Sequence, residues 1–346
     1  MTIENLAKSA QPFALALTGQ FRQTTTRQGM VFAGPSGWGE FAPFPEYQDQ
    51  IAGRWLAGAL DAAFGHWPAP VRKQVPVNAI VAALNPEETA RAVKSAVSEY
   101  SMTTIKIKVA QSGQTFQDDL ERVNAARQVL DGLTSNGKIR IDVNGGWTTQ
   151  EAVANIKVLS EFNLEYVEQP CSTLAECAQV RESVSSLIAI DEGLRLTPDL
   201  SEINVDEIRQ AGDILIVKSI PLGGVTRSLE IIKQIDLPVV ISGSLDSSIG
   251  LESGLALAAS VPDLFGACGF GTGILFSQDL VYPNVLPVGG ILDVKRQTPD
   301  PELLTQATRR VTSSEQDDWR QRLISAWTAS AINLVTDEVR QAVEQW

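Results

Sequence analysis

Short apolar runs alternate with longer amphipathic stretches through the middle of the chain. The runs have about four to six mostly β-branched residues, which is typical of strands buried on both faces of a parallel sheet. The stretches between them carry apolar residues at helical spacing opposite a charged face. Strands are predicted at 75–80, 104–109, 139–143, 164–168, 188–191, 214–218, 239–242 and 264–268. Helices are predicted at 87–100, 116–130, 148–162, 174–184, 225–235 and 247–260.

This alternation of strand and helix predicts an α/β fold, a modified (β/α)8 barrel of the TIM type. An open doubly wound sheet is the alternative. Such a sheet commonly carries a G-x-G-x-x-G or P-loop sequence, and neither Gly223-Gly224 nor Gly271-Thr272-Gly273 has that spacing. The barrel is therefore favoured.

The two ends of the chain depart from this rhythm. Residues 12–45 are typical of antiparallel strands joined by glycine turns, and the C-terminal segment holds a short strand-like piece followed by a helix. The apolar side of that helix carries Trp319, Leu323, Trp327 and Ile332. Residues 1–74 and 285–346 are expected to form one small α+β capping domain over the mouth of a barrel formed by residues 75–284.

The charge balance narrows the range of partners. The chain has 28 Lys and Arg against 41 Asp and Glu, for a formal net charge of −13. Nucleic acid and anionic membranes need a basic face, so neither is expected, and a small-molecule partner is favoured. The polar stretch 1–11 lacks a signal-peptide core, and the apolar stretch 255–261 is too short to span a bilayer. Three cysteines without a C-x-x-C pair favour a cytoplasmic protein; the sequence does not indicate an oligomeric state.

The single histidine, His66, lies between a helix-like stretch and a proline-rich turn. A packing or surface role is favoured there. Any acid–base chemistry is therefore expected from lysine and carboxylate side chains.

Polar residues end one predicted strand after another, at the edge where barrel enzymes place their active sites. From the second to the sixth strand they are Lys106 and Lys108, Asp142 and Asn144, Glu168, Asp191, and Lys218. Residues two apart on a strand point the same way, so the two lysines of the second strand share a direction.

The carboxylates of Asp142, Glu168 and Asp191 are expected to converge. Three anions so close together repel one another unless a cation lies between them. Mg²⁺ prefers such oxygen ligands and keeps open positions for water or substrate, with Mn²⁺ as a possible substitute. The alternative is three separate ion pairs.

The lysines of the second and sixth strands would flank that metal from opposite sides. An ammonium group near a dication and a second lysine is pushed toward its neutral form and can then act as a base. The metal would stabilise the enediolate that forms when the proton beside a carboxylate leaves. The substrate is therefore predicted to be a small-molecule carboxylate.

These segments together resemble the enolase superfamily, and within it the muconate-lactonising subgroup. The residues that carry the resemblance are Thr104-Ile105-Lys106-Ile107-Lys108, Ile141-Asp142-Val143-Asn144, Val167-Glu168-Gln169-Pro170, Ile190-Asp191-Glu192-Gly193 and Val217-Lys218. Segments 37–47, 142–147, 241–244 and 247–250 are similar to the o-succinylbenzoate synthase family of that subgroup.

The resemblance implies a role for each residue. Asp142, Glu168 and Asp191 would bind Mg²⁺. Lys108 would remove the proton alpha to the carboxylate of 2-succinyl-6-hydroxy-2,4-cyclohexadiene-1-carboxylate and pass it to the departing hydroxyl, giving 2-succinylbenzoate for menaquinone biosynthesis. Lys218 would stabilise the anion from the other face, and Lys106 would keep Lys108 deprotonated.

The resemblance also implies supporting residues. Asn144 and Glu192 would orient the metal ligands and the base through hydrogen bonds. Contacts with the succinyl group are expected from Ser242, Gly243, Ser244, Gly271 and Thr272.

Other activities stay open on sequence grounds. An N-acylamino acid racemase would use Lys108 and Lys218 as two bases on opposite faces. A dipeptide epimerase is less favoured, because 269–273 lacks the Asp-x-Asp of such enzymes, and a mandelate-racemase-type enzyme would need a histidine base. A barrel that only binds its ligand would be expected to lack a metal ligand or a lysine, and none is missing.

Overall fold

A computed structural model describes residues 3–21 and 24–345. Its strands, in chain order, are β1 (Gln11–Phe21), β2 (Thr24–Gly34), β3 (Gly37–Phe41), β4 (Gln74–Pro76), β5 (Ala79–Val81), β6 (Thr104–Lys108), β7 (Lys138–Asp142), β8 (Leu164–Glu168), β9 (Ile188–Ile190), β10 (Ile214–Val217), β11 (Val239–Ile241) and β12 (Ile291–Asp293). Strands β5 to β11 form a seven-stranded parallel sheet in sequential order.

The helices complete the alternation that the sequence predicts. They are α1 (Ile3–Ser9), α2 (Asp49–Phe64), α3 (Pro86–Tyr100), α4 (Phe116–Leu133), α5 (Thr149–Leu159), α6 (Leu174–Ser183), α7 (Glu192–Arg195), α8 (Val205–Ala211), α9 (Val225–Ile235), α10 (Ser248–Ser260), α11 (Pro301–Arg309), α12 (Ser313–Ala326), α13 (Ile332–Leu334) and α14 (Asp337–Gln345). The predicted (β/α) barrel is thereby confirmed.

The barrel closes through an irregular segment rather than an eighth regular strand. Leu264 bridges β11, and Cys268 bridges Val77 just before β5, so residues 264–269 occupy the eighth position. Gly266 has a φ of 71°, a left-handed conformation that interrupts the strand predicted at 264–268. The closing hydrogen bonds, Cys268 N to Pro76 O at 2.7 Å among them, keep the barrel continuous.

The strand predicted at 75–80 is divided into two strands because its partners change. Val75 in β4 pairs antiparallel with Leu292 in β12, whereas Ile80 in β5 pairs parallel with Lys106 in β6. The short strand expected after residue 285 is therefore β12, and it is paired with the start of the barrel region.

Helix starts follow the local sequence. Thr148 accepts a hydrogen bond from Glu151 N, and the Glu151 carboxylate accepts one from Thr148 N, which is the capping box that the sequence indicates. The same reciprocal pair begins α3, α4, α6 and α12. Such caps satisfy backbone N–H groups that would otherwise lack partners.

Side chains on the barrel strands alternate between the interior and the helical layer. The interior cluster consists of Tyr166, Ala189, Ile214, Ile216 and Val240, while the larger core lies between strands and helices. Residues two positions after a member of this interior cluster also point toward the barrel axis, because side chains on a strand alternate. They are Glu168 after Tyr166, Asp191 after Ala189, and Lys218 after Ile216.

Both ends of the chain contribute to a second hydrophobic core. Strands β1 to β3 form an antiparallel sheet that packs with α2, α11 and α12, and buried side chains from Leu6 to Val343 belong to this cluster. Trp319 and Leu323 are buried, whereas Trp327 and Ile332 are half-buried, because α12 ends at Ala326 and a short π-helical turn follows. We call this unit the cap.

The cap touches the loops at the carboxyl ends of the barrel strands. The Arg27 guanidinium donates to the carbonyl of Leu245 at 3.0 Å, and the buried Glu40 carboxylate accepts from Ser247 N at 3.3 Å. These contacts fix the mouth of the barrel against the cap. In the described part of the chain, every helix is too short or too polar to cross a bilayer.

Candidate active site

The polar strand ends meet at one edge of the barrel. Backbone pairing places Lys108 in β6 beside Asp142 in β7, and Asp142 beside Glu168 in β8. Asp191 and Lys218 directly follow β9 and β10. The structure therefore brings the predicted lysines and carboxylates to the carboxyl end of the barrel, as the register of a parallel sheet requires.

Lys106 and Lys108 share the carboxylate of Asp142. The Lys106 Nζ lies 2.8 Å from Oδ2 of Asp142 and 2.6 Å from Oε1 of Glu168, and the Lys108 Nζ lies 2.6 Å from the same Oδ2. The side chains of Lys106, Asp142 and Glu168 are almost completely buried, while Lys108 is 17% exposed. Lys108 is therefore the more accessible lysine of this pair to a ligand in the barrel mouth.

Asp191 binds cations on both of its oxygens. Lys218 Nζ lies 2.6 Å from Oδ2, and Arg195 Nε lies 2.9 Å from Oδ1. Arg195 also donates to Glu192 Oε1 at 2.6 Å and to the hydroxyl of Tyr47 in the cap at 2.7 Å. One guanidinium thus links the cap to the end of β9.

Asn144 and Glu192 join the two halves of this network. Asn144 accepts from Lys108 Nζ at 2.6 Å and donates through Nδ2 to Glu192 Oε1 at 3.1 Å. Asn144 has a φ of 50°, which its short amide side chain tolerates. A continuous chain of hydrogen bonds therefore runs from Lys108 to Arg195.

Burial and neighbouring charges shift the pKa values of Lys106 and Lys108 in opposite directions. Burial lowers the pKa of Lys108, and the charge of Lys106 lowers it further against the opposing effect of Asp142. Burial alone would lower the pKa of Lys106 as well, but the charges of Asp142 and Glu168 raise it well above its usual value. Lys108 is the lysine that loses its proton more readily.

The carboxylates differ in the same way. Burial and the charge of Asp142 raise the pKa of Glu168 to about 7. Burial alone would raise the pKa of Asp142, but the charges of Lys106 and Lys108 lower it below its usual value. Burial alone would likewise raise the pKa of Asp191, but the charges of Arg195 and Lys218 lower it. Glu168 is the carboxylate with the least cationic compensation.

The donor chemistry suits a hard dication, although the side chains do not enclose one as they stand. Within residues 3–21 and 24–345, no three His, Cys, Asp or Glu side chains form a group that could hold a metal ion, because ammonium groups lie between the carboxylates. Oε2 of Glu168 and Oε2 of Glu192 are nevertheless buried without a hydrogen-bond partner. Carboxylate oxygens are the ligands that Mg²⁺ prefers, and a buried oxygen without a partner calls for a cation or donor, so the donor chemistry of these residues fits such an ion.

A cavity opens above this network, between the strand ends and the cap. Ser242, Gly243, Ser244 and Thr272 line it together with Lys106, Lys108, Asp142, Asn144 and Lys218. Gly271 is not among the lining residues. It packs against the backbone before β5, where a Cβ would come within 2.3 Å of the Asn78 carbonyl oxygen. The glycine at 271 is explained by packing against the backbone before β5.

Several lining residues are not indicated by the sequence pattern. The cap contributes Phe21, Phe44, Tyr47 and Trp55 to an apolar wall, which Ile80 of β5 and the loop residue Leu245 complete. Arg195 also lines the cavity, and its place four residues after Asp191, one helical turn away, is a signal that could have identified it. No local signal marks Tyr47, because only the packing of the cap brings it to Arg195.

Gln169 supports the site from below. Its buried side chain accepts hydrogen bonds from Asp191 N at 3.1 Å and Gly193 N at 3.0 Å, and it donates to Cys171 O at 2.9 Å. The amide therefore fixes the backbone that carries Asp191.

Comparison with known protein families identifies the class. Residues 88–299 match the model of the enolase C-terminal domain-like family, and residues 13–63 match the enolase N-terminal domain-like family. A parallel barrel with acidic and lysine residues at its strand ends, covered by a cap, is therefore an enolase-superfamily architecture. Members of this superfamily generally use a divalent metal ion.

Curated relatives narrow the class to one family. The chain is 43% identical over 323 residues to the o-succinylbenzoate synthase of Thermobifida fusca (strain YX), which covers 93% of this chain and 96% of the relative. It is 42% identical over 307 residues to the o-succinylbenzoate synthase of Mycobacterium ulcerans (strain Agy99), covering 88% and 89%. The chain belongs to the o-succinylbenzoate synthase family of the enolase superfamily.

Solved structures share the fold at lower identity. An N-succinyl Arg/Lys racemase from Bacillus cereus ATCC 14579 superposes with a TM-score of 0.69 at 16% identity, over 86% of this chain and 96% of that one. A dipeptide epimerase from Enterococcus faecalis V583, complexed with Mg and the dipeptide L-Leu-L-Tyr, gives 0.68 at 18% identity, over 84% and 97%. At such identity the likeness establishes the fold alone.

Proposed function

We propose that this protein is an o-succinylbenzoate synthase, a lyase of menaquinone biosynthesis. It removes water from 2-succinyl-6-hydroxy-2,4-cyclohexadiene-1-carboxylate and forms 2-succinylbenzoate. The observation that carries this proposal is the 43% identity to the Thermobifida fusca synthase over nearly the whole of both chains. The lysines and carboxylates gathered at the barrel mouth supply the chemical groups that this reaction needs.

Lys108 is the general acid and base. Its neutral amine takes the proton alpha to the ring carboxylate, and the electron pair of the C–H bond moves into the carboxylate to give an enediolate. The enediolate then collapses, the C–O bond breaks, and the Lys108 ammonium returns the proton to the departing hydroxide as water. One residue suffices when the proton and the leaving group share a face of the ring. Lys108 is suited to this role because burial and Lys106 lower its pKa.

Lys218 and Lys106 support the reaction by charge. Lys218 lies across the mouth from Lys108, and its ammonium stabilises the anionic ring from the opposite face. Lys106 lies beside the base and disfavours a second positive charge there. Asn144 and Glu192 hold the base and Arg195 in place through the hydrogen bonds already described.

Asp142, Glu168 and Asp191 would hold the divalent ion, and we propose Mg²⁺, with Mn²⁺ as a substitute. When bound, the ion supplies Lewis-acid stabilisation of negative charge on the substrate carboxylate. The unpartnered oxygen of Glu168 supports its role as a ligand. The complex of the Enterococcus faecalis epimerase with Mg is consistent with the choice of metal.

The cavity walls suggest how the substrate is held. The apolar wall that includes Phe44, Trp55 and Leu245 suits the faces of a cyclohexadiene ring. Ser242, Gly243, Ser244 and Thr272 line the cavity and are proposed to contact the succinyl group through hydroxyl or backbone N–H donors. Gly271 is left out of this proposal because of its packing role.

We also propose a division of the chain and a compartment. Residues 1–74 and 285–346 form the cap and 75–284 the barrel. Most buried side chains of the two hydrophobic clusters follow this division, although Phe276, Leu280 and Val281 pack in the cap cluster and Leu292 in the barrel cluster. Cys171, Cys177 and Cys268 are free and buried, which supports a reducing compartment such as the cytoplasm.

A racemase acting on N-succinylamino acids is the second candidate, because Lys108 and Lys218 could act as bases on opposite faces. It is not favoured, since the racemase structure shares only 16% identity with this chain. The test is to incubate the purified protein and Mg²⁺ with the cyclohexadiene in one reaction and an N-succinylamino acid in D₂O in another. Loss of the diene absorbance with formation of 2-succinylbenzoate is expected. Deuterium exchange at the amino-acid α-carbon without dehydration would refute the proposal.

A further inference from the structure

A second cavity, of about 310 Å³, lies where the cap meets the loop after α7 and the first turn of α9. It shares no lining residue with the active-site cavity. Two guanidinium side chains and four neutral polar side chains line it. They are Arg54 and Arg227, and Gln50, Ser201, Ser330 and Asn333.

The charge of Arg54 is not neutralised by its contacts. Arg54 is buried, and its guanidinium donates to the carbonyls of Arg195 at 3.1 Å, Thr197 at 2.5 Å and Pro198 at 2.6 Å. These acceptors are neutral dipoles. The acidic residue of the cavity lining, Asp199, is exposed and accepts hydrogen bonds from Ser201; it forms no ion pair with Arg54, but its charge raises the pKa of Arg54 against the effect of burial.

Arg227 also lacks a directly bonded anion. Its Nε is buried without a hydrogen-bond acceptor, and in the described ranges no carboxylate forms an ion pair with it or with Arg54. Arg227 also lies in the first turn of α9, which contains no acidic residue. The positive end of the helix dipole disfavours a cation at that position.

The two guanidinium groups also act on each other. Burial and, to a smaller extent, the charge of Arg227 lower the pKa of Arg54 to about 10 against the opposing effect of Asp199. Two cations therefore face one cavity whose lining holds a single carboxylate, that of the exposed Asp199. Guanidinium groups bind multivalent oxyanions well, because their donors match the spacing of phosphate and carboxylate oxygens.

We propose that this cavity binds a small multivalent oxyanion, either free phosphate or the phosphate group of a metabolite, between Arg54 and Arg227. The anion would lie against the guanidinium groups of Arg54 and Arg227 in the cavity lining and would relieve the repulsion between the two cations. Arg54 already donates to the Arg195 carbonyl, so an occupant would also stabilise the backbone after α7. This site is separate from the proposed activity and does not depend on it.

The test uses inorganic phosphate and three proteins at constant ionic strength: wild type, Arg227→Gln and Arg91→Gln. Arg91 is an exposed arginine on α3, so its replacement removes the same charge elsewhere. Phosphate should raise the thermal midpoint of wild type and of Arg91→Gln but not of Arg227→Gln. Without phosphate, Arg227→Gln should be at least as stable as wild type, because an uncompensated cation has been removed.

Calorimetric titration measures the binding itself. The Kd for phosphate should be at least about tenfold larger in Arg227→Gln than in wild type, which corresponds to about 1.4 kcal/mol. Arg227→Lys should retain part of the affinity. Glycerol 3-phosphate in a parallel titration separates the sources: tighter binding than phosphate indicates a metabolite, and weaker binding indicates the free ion. Equal phosphate responses in all three proteins, no binding to wild type, or a less stable phosphate-free Arg227→Gln would each overturn the proposal.

Discussion

Lys106 donates to Oε1 of Glu168 at 2.6 Å, while the other oxygen of that carboxylate is buried without a partner. A lysine thus stabilises the acidic strand ends and still leaves one oxygen for a cation. Asp191 differs, because Lys218 and Arg195 neutralise it on both of its oxygens. The ion pairs that hold the acidic groups together without metal are therefore formed by the residues proposed to act in catalysis.

Metal removal should separate activity from folding. Chelation with EDTA is expected to lower the dehydration rate by at least about 100-fold, because Lewis-acid stabilisation is worth several kcal/mol, and added Mg²⁺ or Mn²⁺ should restore it. The far-UV circular dichroism should not change, since Lys106, Lys108 and Lys218 neutralise the carboxylates. Full activity after chelation would show that the reaction needs no metal ion. Unfolding on chelation would show that the lysines do not neutralise the carboxylates sufficiently without the metal.

Tyr47 is expected to position the metal site through Arg195. Tyr47→Phe removes the 2.7 Å hydrogen bond to Arg195. The variant should need a Mg²⁺ concentration about 10- to 100-fold higher for half-maximal activity. The thermal midpoint should change little. Tyr282→Phe is the matched control, because Tyr282 is 84% exposed. An equal loss of Mg²⁺ affinity in both variants, or in neither, would show that the contact with Arg195 has no such effect.

Much of the scaffold can be predicted from the chain itself. Helix α9 spans the predicted 225–235, and the lysines and carboxylates lie at strand ends as expected, because in a parallel barrel position along a strand determines position in space. The segment 264–268 shows where this rule fails. Its apolar pattern is that of a strand, yet Gly266 adopts a left-handed conformation that only the closed barrel reveals.

The cap residues of the site lie beyond sequence prediction for a different reason. Tyr47 reaches Arg195 across 148 positions of the chain, and Glu40 reaches Ser247 across 207. Such contacts depend on how the cap packs against the barrel. Local periodicity carries no information about that meeting.

Glu252 should make stability depend on pH. Burial raises the pKa of its carboxyl group from 4.5 to about 8 in the folded chain. Between pH 4.5 and about pH 8 the folded state binds a proton that the unfolded state has released. The free energy of unfolding that this group contributes therefore falls as pH rises, and the fall stops above about pH 8. Glu252→Gln should flatten that part of the profile.

The measurement is the denaturant midpoint of wild type and Glu252→Gln from pH 5 to pH 9. Each unit of pKa shift corresponds to about 1.4 kcal/mol, so the two profiles should diverge by about a few kcal/mol across the range. Glu230→Gln, at an exposed position on α9, serves as the control. Parallel profiles for wild type and Glu252→Gln would show that the buried carboxyl group is not protonated near neutral pH.

Lys108 should be indispensable for turnover but not for folding. Lys108→Ala removes the proposed base, and general acid–base catalysis contributes about 10²- to 10⁴-fold, so at least that loss in kcat is expected. Asp142 keeps Lys106 as its partner, so the variant should fold. Lys138→Ala, at a lysine that is 54% exposed and paired with Glu165, is the matched control.

The most direct test is therefore the rate at which wild type, Lys108→Ala and Lys138→Ala convert the cyclohexadiene to 2-succinylbenzoate with saturating Mg²⁺, followed by absorbance and by NMR of the product. Wild type and Lys138→Ala should form 2-succinylbenzoate at similar rates, and a folded Lys108→Ala should form almost none. A Lys108→Ala rate within tenfold of wild type, or a wild type that forms no 2-succinylbenzoate, would contradict proton transfer by Lys108 in this dehydration.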